Sequence, residues 1–247
     1  MVVMDGNLIW LAAIVLISYT TQAMSGFGST ILALTLGVHL YSIDVLLPVL
    51  VPLDMLVNLY LVTRHYRHIS RRYLFRSILP AMGFGVLAGI IVFQYIESDL
   101  LKQLFGLLVK LLTMRELYRL LRNRQDQLAL SNTTAQTCIV AAGIVHGIYA
   151  SGGPLLIYAV SRLNLSKSVF RSTLGAVWLI FSVVLTVSYL IAGKFTAHSI
   201  RYILILLPMI LIGILLGEWL HHRIDENRFK LFVFTILFFA GLSICIA

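Results

Sequence analysis

The sequence predicts an all-helical, polytopic membrane protein, built as two inverted-topology repeats of about five helical segments each. Three observations carry that reading. Of the 247 residues, 60% are hydrophobic and only 12% charged, and the mean hydropathy is +0.94. A soluble chain of this size has too little interior to hide so much apolar surface, so much of it must face lipid. Apolar runs of spanning length recur from end to end. Landmarks of the first half also return in register in the second.

The apolar segments fall at 8–24, 28–41, 43–63, 74–95, 100–121, 132–149, 153–162, 169–192, 198–220 and 228–246. The first reads as a retained helix rather than a signal peptide, because Met1–Asp5 carries no Lys or Arg and so lacks a charged n-region. A full span needs about 20 residues. Segments 28–41 and 153–162 fall short, and each follows a small-residue break, Ser25-Gly26-Phe27-Gly28 and Ser151-Gly152-Gly153-Pro154. The one long polar tract, Arg122 to Ser131, lies at mid-chain. It divides one integral membrane domain into repeats at 1–125 and 126–247. A shift of 128 aligns Leu79-Pro80 with Leu207-Pro208, Gly85 with Gly213, Gly89 with Gly217 and Lys102 with Lys230. A shift of 125 aligns Gly28 with Gly153.

Lys and Arg set the orientation, since they stay on the cytoplasmic side. With the 63–76 loop inside, the inner loops collect Arg64, Arg67, Arg71, Arg72 and Arg76, then Arg115, Arg119, Arg122 and Arg124. They also collect Arg162, Lys167 and Arg171, and finally Arg223, Arg228 and Lys230. Only Lys102, Lys194 and Arg201 fall outside, and Lys110 lies within a span. This asymmetry explains the net charge of +9 without nucleic acid. It places both termini outside. Five segments per repeat make the halves enter the membrane from opposite sides, mostly a transporter design.

The two breaks point to chemistry. Irregular backbone inside the hydrocarbon layer survives only where it is buried in protein or lines a polar cavity. A half-helix that starts there aims unpaired amides and a positive dipole end at whatever binds. Glycine allows close approach, and Pro154 suits a first helical turn. Ser25, Ser29, Thr30 and Ser151 add hydroxyls, and Gln22 and His146 stand one turn before the breaks. The alternative is that these small residues only let helices pack closely.

Those motifs carry a resemblance. Ser25-Gly26-Phe27-Gly28-Ser29, the run from Gly143 to Pro154 (GIVHGIYASGGP), and Lys167 to Thr173 (KSVFRST) resemble the sulfite exporter TauE/SafE family over nearly the whole chain. The resemblance implies an inner-membrane permease for sulfur oxyanions or organosulfonates, commonly in export. The candidate substrate-binding set is then Gln22, Ser25, Gly26, Gly28, Ser29, Thr30, His146, Ser151, Gly152, Gly153 and Pro154.

Charge within the spans is costly, about 2.5–3.5 kcal/mol per residue on insertion scales. Asp54 and Lys110 fall at similar depth. They are expected either to pair, or to divide the work, Lys110 attracting the anion and Asp54 carrying a coupling proton. A purely structural pair is the plainer alternative. Asn58 lies one turn from Asp54. Arg171 is placed at the cytoplasmic mouth, where it would collect anions. Glu218 is expected to snorkel or pair. Trp10, Tyr95 and Trp219 suit an aromatic belt.

Cys138 and Cys245 give neither metal spacing nor a disulfide framework. No cofactor, metal or nucleic acid is expected; the partners are a small anion and the bilayer, and a homo-oligomer is compatible with the sequence. An intramembrane enzyme, with Ser151 and His146 as nucleophile and base, lacks an orienting acid. A channel or scaffold is the other rival, and accumulation against a gradient separates a carrier from a channel; within the carrier class a different small anion, such as a carboxylate, is the alternative cargo.

Overall fold

The computed structural model describes residues 6–121, 131–160, 163, 165–221, 223 and 226–246, and no strand occurs among them. Runs of Leu, Ile, Val and Ala with few charges leave the backbone no partner in lipid but itself, which selects helices. The first half holds α1 (Gly6–Ser25), α2 (Ser29–Gly37), α3 (Ile43–His65), a 3₁₀ turn at Tyr66–His68, and α4 (Arg71–Tyr73). A π-helical stretch, Leu74–Ile78, joins α4 to α5 (Leu79–Tyr95), and α6 (Ser98–Leu121) follows. The second half holds α7 (Asn132–Tyr149), α8 (Gly153–Val160), α9 (Lys167–Ile191), α10 (Ala197–His221) and α11 (Glu226–Ile246).

Local chemistry sets the boundaries. The Ser131 hydroxyl accepts the Thr134 amide at 3.1 Å and caps α7, a bond that satisfies one orphan donor. Gly193, at φ +65°, ends α9: the Lys194 amide reaches back to the Tyr189 carbonyl at 2.9 Å, a turn that glycine enters without strain. Lys194 also approaches Asp44 at 3.8 Å, so the end of α9 meets the start of α3.

Among the described residues five stretches are long and apolar enough to cross a membrane: Gly6–Met24, Ile43–His68, Arg71–Tyr95, Ser168–Ile191 and Ala197–Leu220. Many of their large apolar side chains face outward, among them Phe84, Ile191 and Leu215, as lipid contact requires. Trp10, Tyr95 and Trp219 are exposed too. Glu218 is half-buried and accepts the Tyr60 hydroxyl at 3.4 Å.

The principal helix pairs are α1 with α10, α5 with α7, α3 with α9, and α6 with α11. Exchanging α1 with α7, α3 with α9, α5 with α10 and α6 with α11 maps this set onto itself. The correspondence extends to single atoms. A Cβ on Gly85 would collide with the Val140 carbonyl and the Ile144 amide; on Gly213 it would meet the Leu16 carbonyl and the Thr20 amide. A Cβ on Gly89 would strike the Ile144 carbonyl, and one on Gly217 the Thr20 carbonyl. Residues 85 and 213 differ by 128, and residues 16 and 140 by 124. These glycines therefore serve close helix crossing, the role small residues play between membrane helices, and both crossings tie one half of the chain to the other.

Candidate functional site

The two breaks are built alike. The Gly26 amide donates to the Gln22 carbonyl at 2.7 Å, and the Ala150 amide to the His146 carbonyl at 2.7 Å. Gly26 and Ala150 both hold the left-handed conformation, at φ +85° and +52°. Each following half-helix opens with an equivalent bond, Leu32 to the Gly28 carbonyl at 3.1 Å and Leu156 to the Gly152 carbonyl at 3.2 Å. Every one of these pairs is 124 residues apart. The glycine alignment set Gly28 opposite Gly153; the hydrogen bonds put Gly152 there instead, because the accepting carbonyl, not the residue type, defines where each helix starts.

The breaks open on one cavity of about 30 Å³, enough for about two water-sized groups. The first half lines it with Gln22, residues 27–31 and Asp54, and the second with His146, Ala150, Ser151, Gly153, Pro154 and Trp178. The amides of Ser29, Thr30 and Ile31 precede the first bond of α2, so they have no partner within the helix. Those of Gly153 and Leu155 stand likewise at the start of α8, where Pro154 has no amide hydrogen to leave unpaired.

The first-half wall is a polar network. Asp54, 5% exposed, accepts the Ser29 hydroxyl at 2.9 Å on Oδ1. Its Oδ2 accepts the Ser182 hydroxyl and the Asn58 Nδ2, each at 2.8 Å. The Gln22 amide donates to Asn58 Oδ1 at 3.0 Å. This leaves the buried Gln22 Oε1 without a partner. The second-half wall is aromatic. His146 stacks on Trp178, and the Phe181 ring meets His146 edge-on at 6.1 Å. Both ring nitrogens of His146 and Trp178 Nε1 are buried and unpartnered. Buried polar nitrogens are ordinarily satisfied, so these three are open to a further polar partner.

The structure thus brings together at the cavity Gln22, Gly28, Ser29, Thr30, Asp54, His146, Ser151, Gly153 and Pro154. It changes two roles: the Ser29 hydroxyl is committed to Asp54, and the Ser151 hydroxyl to the Tyr149 carbonyl at 2.9 Å. Gly26 and Gly152 shape the breaks without lining the cavity. The side chain of Ser25 lies outside the described residues. Lys110 does not reach Asp54. It is half-buried on α6, which packs on α11, and its amide faces Gly241; the expected pair is replaced by the three neutral donors. Arg171 does not stand free at a mouth. Its Nη2 donates to the Ala23 carbonyl at the end of α1, and its stem lies against Gly26. Among the described residues no cluster of three His, Cys, Asp or Glu could hold a metal.

Trp178 and Ser182 escaped the sequence reading. The signal was present: they lie 124 residues after Asp54 and Asn58, as His146 lies 124 after Gln22. One layer of positions 124 residues apart, from both halves of the chain, lines the cavity or its polar network.

The model of the sulfite exporter TauE/SafE family matches residues 11–244. The chain is also 24% identical over 169 residues, 68% of its length and 70% of the relative's, to a "Probable inner membrane transporter protein TsaS" of Comamonas testosteroni. No solved structure matches it. The family match and the apolar helices together describe a multi-pass membrane transporter.

Proposed function

The chain belongs to the sulfite exporter TauE/SafE family, and from that premise we propose that the cavity is the substrate site of an alternating-access carrier. Its cargo is a small anion, sulfite or an organosulfonate, and it works in a bacterial inner membrane. The observation that carries this reading is the meeting of two half-helix N-termini with the unpartnered nitrogens of His146 and Trp178 around one space. Amide dipoles at helix starts favour negative charge, and an indole N–H can only donate. The small volume suits a compact oxyanion head group.

The inverted repeat supplies the motion. With basic loops inside and both termini outside, the two equivalent breaks approach the site from opposite faces. The glycine crossings bind α1 to α10 and α5 to α7. The rocking units are therefore exchanged bundles, each joining helices of both halves, rather than residues 1–125 against 126–247. Reconstitution in liposomes tests the reading. Labelled sulfite and methanesulfonate should enter saturably and in preference to acetate, and Gly153→Leu should abolish flux while still inserting. Undiminished flux in that variant removes the site, and a preference for acetate removes the sulfur anions.

A further inference from the structure

Resting on that reading of the cavity, we infer that the anion crosses together with a proton carried by Asp54, which makes the carrier an electroneutral proton–anion symporter. The argument begins with charge. Asp54 lines the same cavity as the two helix starts. Among the described residues no Lys or Arg lines it, and the partners of the carboxylate, Ser29, Asn58 and Ser182, are all neutral. An anion entering beside a bare, buried carboxylate would put two negative charges in one small space, where repulsion is stronger than in bulk water. One positive charge must therefore enter with it.

The network suits a proton better than a metal cation. A sodium-sized ion needs a cage of oxygens; Asn58 turns its nitrogen to Asp54 and its oxygen is taken by Gln22, which leaves Gln22 Oε1 as the one unpartnered amide oxygen of the network. The Ser29 and Ser182 hydroxyls can each reverse from donor to acceptor. They can hold the carboxylate in one state and the carboxylic acid in the other with no heavy atom moved. The proton from water adds to a carboxylate oxygen as the anion binds and leaves it after release, so the cycle balances.

Other titratable groups do not offer this. On α1, the Tyr19 hydroxyl is committed to the Leu50 carbonyl at 2.9 Å. Across the cavity His146 is the other titratable group, and both its nitrogens are buried and unpartnered, open to the anion's oxygens or their hydrogens. On α9, Arg171 is bound to Ala23, and Tyr189 lies two turns past Ser182. On α10, Glu218 receives Tyr60, and on α6 Lys110 does not line the cavity. The α2 sequence contains no titratable side chain.

The test uses the full chain in liposomes, with labelled methanesulfonate and labelled sulfite as probes and protein-free liposomes to subtract sulfite leak. Methanesulfonate carries no proton of its own near neutral pH, so any proton that accompanies it is carried by the protein. An inside-alkaline gradient of one pH unit should concentrate the carried anion about tenfold, because one proton moved through it releases the roughly 1.4 kcal/mol that a tenfold gradient stores. A potential set with potassium and valinomycin should not alter that ratio. Asp54→Asn should bring it to about 1 whatever its exchange rate, and Asp54→Glu should restore it. Wild-type flux that follows the potential, or a sodium gradient, overturns the coupling and leaves the site reading intact. Tenfold accumulation by Asp54→Asn overturns it as well. No flux of either probe in the wild type overturns both readings, and the wild-type ratio decides if Asp54→Asn fails to insert.

Discussion

The imidazole of His146 lies on the indole of Trp178, ring centroids 5.4 Å apart and planes 25° from parallel. No ring nitrogen of either has a partner. The positions 124 residues earlier hold Gln22 and Asp54. Corresponding positions of the two halves thus differ in chemistry, one wall rich in acceptors and the other able to donate. On the proposed coupling, an anion that brings a proton would satisfy both, the proton on the Asp54 side and its oxygens on the Trp178 side.

Trp178→Phe separates the donor from the ring. Phenylalanine preserves the stack on His146 but removes the N–H, and a hydrogen bond to a charged group is worth about 1.5–3 kcal/mol. The half-saturating anion concentration should rise about tenfold or more, with the same thermal unfolding in detergent. Saturation curves for sulfite decide it; an unchanged curve shows that the indole nitrogen never meets the substrate.

Gly152 and Gly153 are neighbours with opposite constraints. A Cβ on Gly152 would collide with the Ala142 carbonyl and come within 3.0 Å of His146 Cβ, whereas one on Gly153 meets only Trp178 at 3.9 Å. Gly152→Ala should therefore destabilise by about 1–3 kcal/mol, the usual result of overpacking. Gly153→Ala should leave unfolding unchanged, and the larger Gly153→Leu should fill the cavity. Unfolding midpoints of the two alanine variants, measured side by side, check the contrast.

The breaks, the short helices and the correspondence between the halves were legible because each leaves a mark in one dimension: a glycine, a length, a spacing. The exact register was not. A shift of 125 matched glycine to glycine, while the shared positions are set by carbonyls and left-handed backbone, and Ala150 fills one of those without being glycine. Carried through α3 and α9, an offset of 124 would have matched Asp54 with Trp178. Lys110 misled for a related reason: equal depth along two helices does not say which way a side chain points, and although α6 also touches α3, it packs mainly on α11, where the Lys110 amide lies against Gly241. Arg171 reads as topology charge from its loop, and only its contact with Gly26 shows it serving a break.

That last contact yields a prediction about coupling between the halves. Gly26 sits at φ +85°, and a Cβ there would come within 2.7 Å of Arg171 Cγ. Gly26→Ala should lose about 1–2 kcal/mol to left-handed strain, with more from displacing the arginine stem. Arg171→Ala removes that obstruction along with the bond to the Ala23 carbonyl. The double variant should accordingly be less destabilised than the sum of the singles, by about 0.5–3 kcal/mol, the range for residues in contact. Ala150→Gly, at the equivalent point of the other break, relieves the same strain and should gain up to about 1 kcal/mol. Chemical or thermal unfolding of the wild type, the two single variants and the double measures the cycle, and Ala150→Gly is read against the wild type. Strict additivity would mean that α9 packs beside the first break without holding it, and that closure of the site does not pass through Arg171.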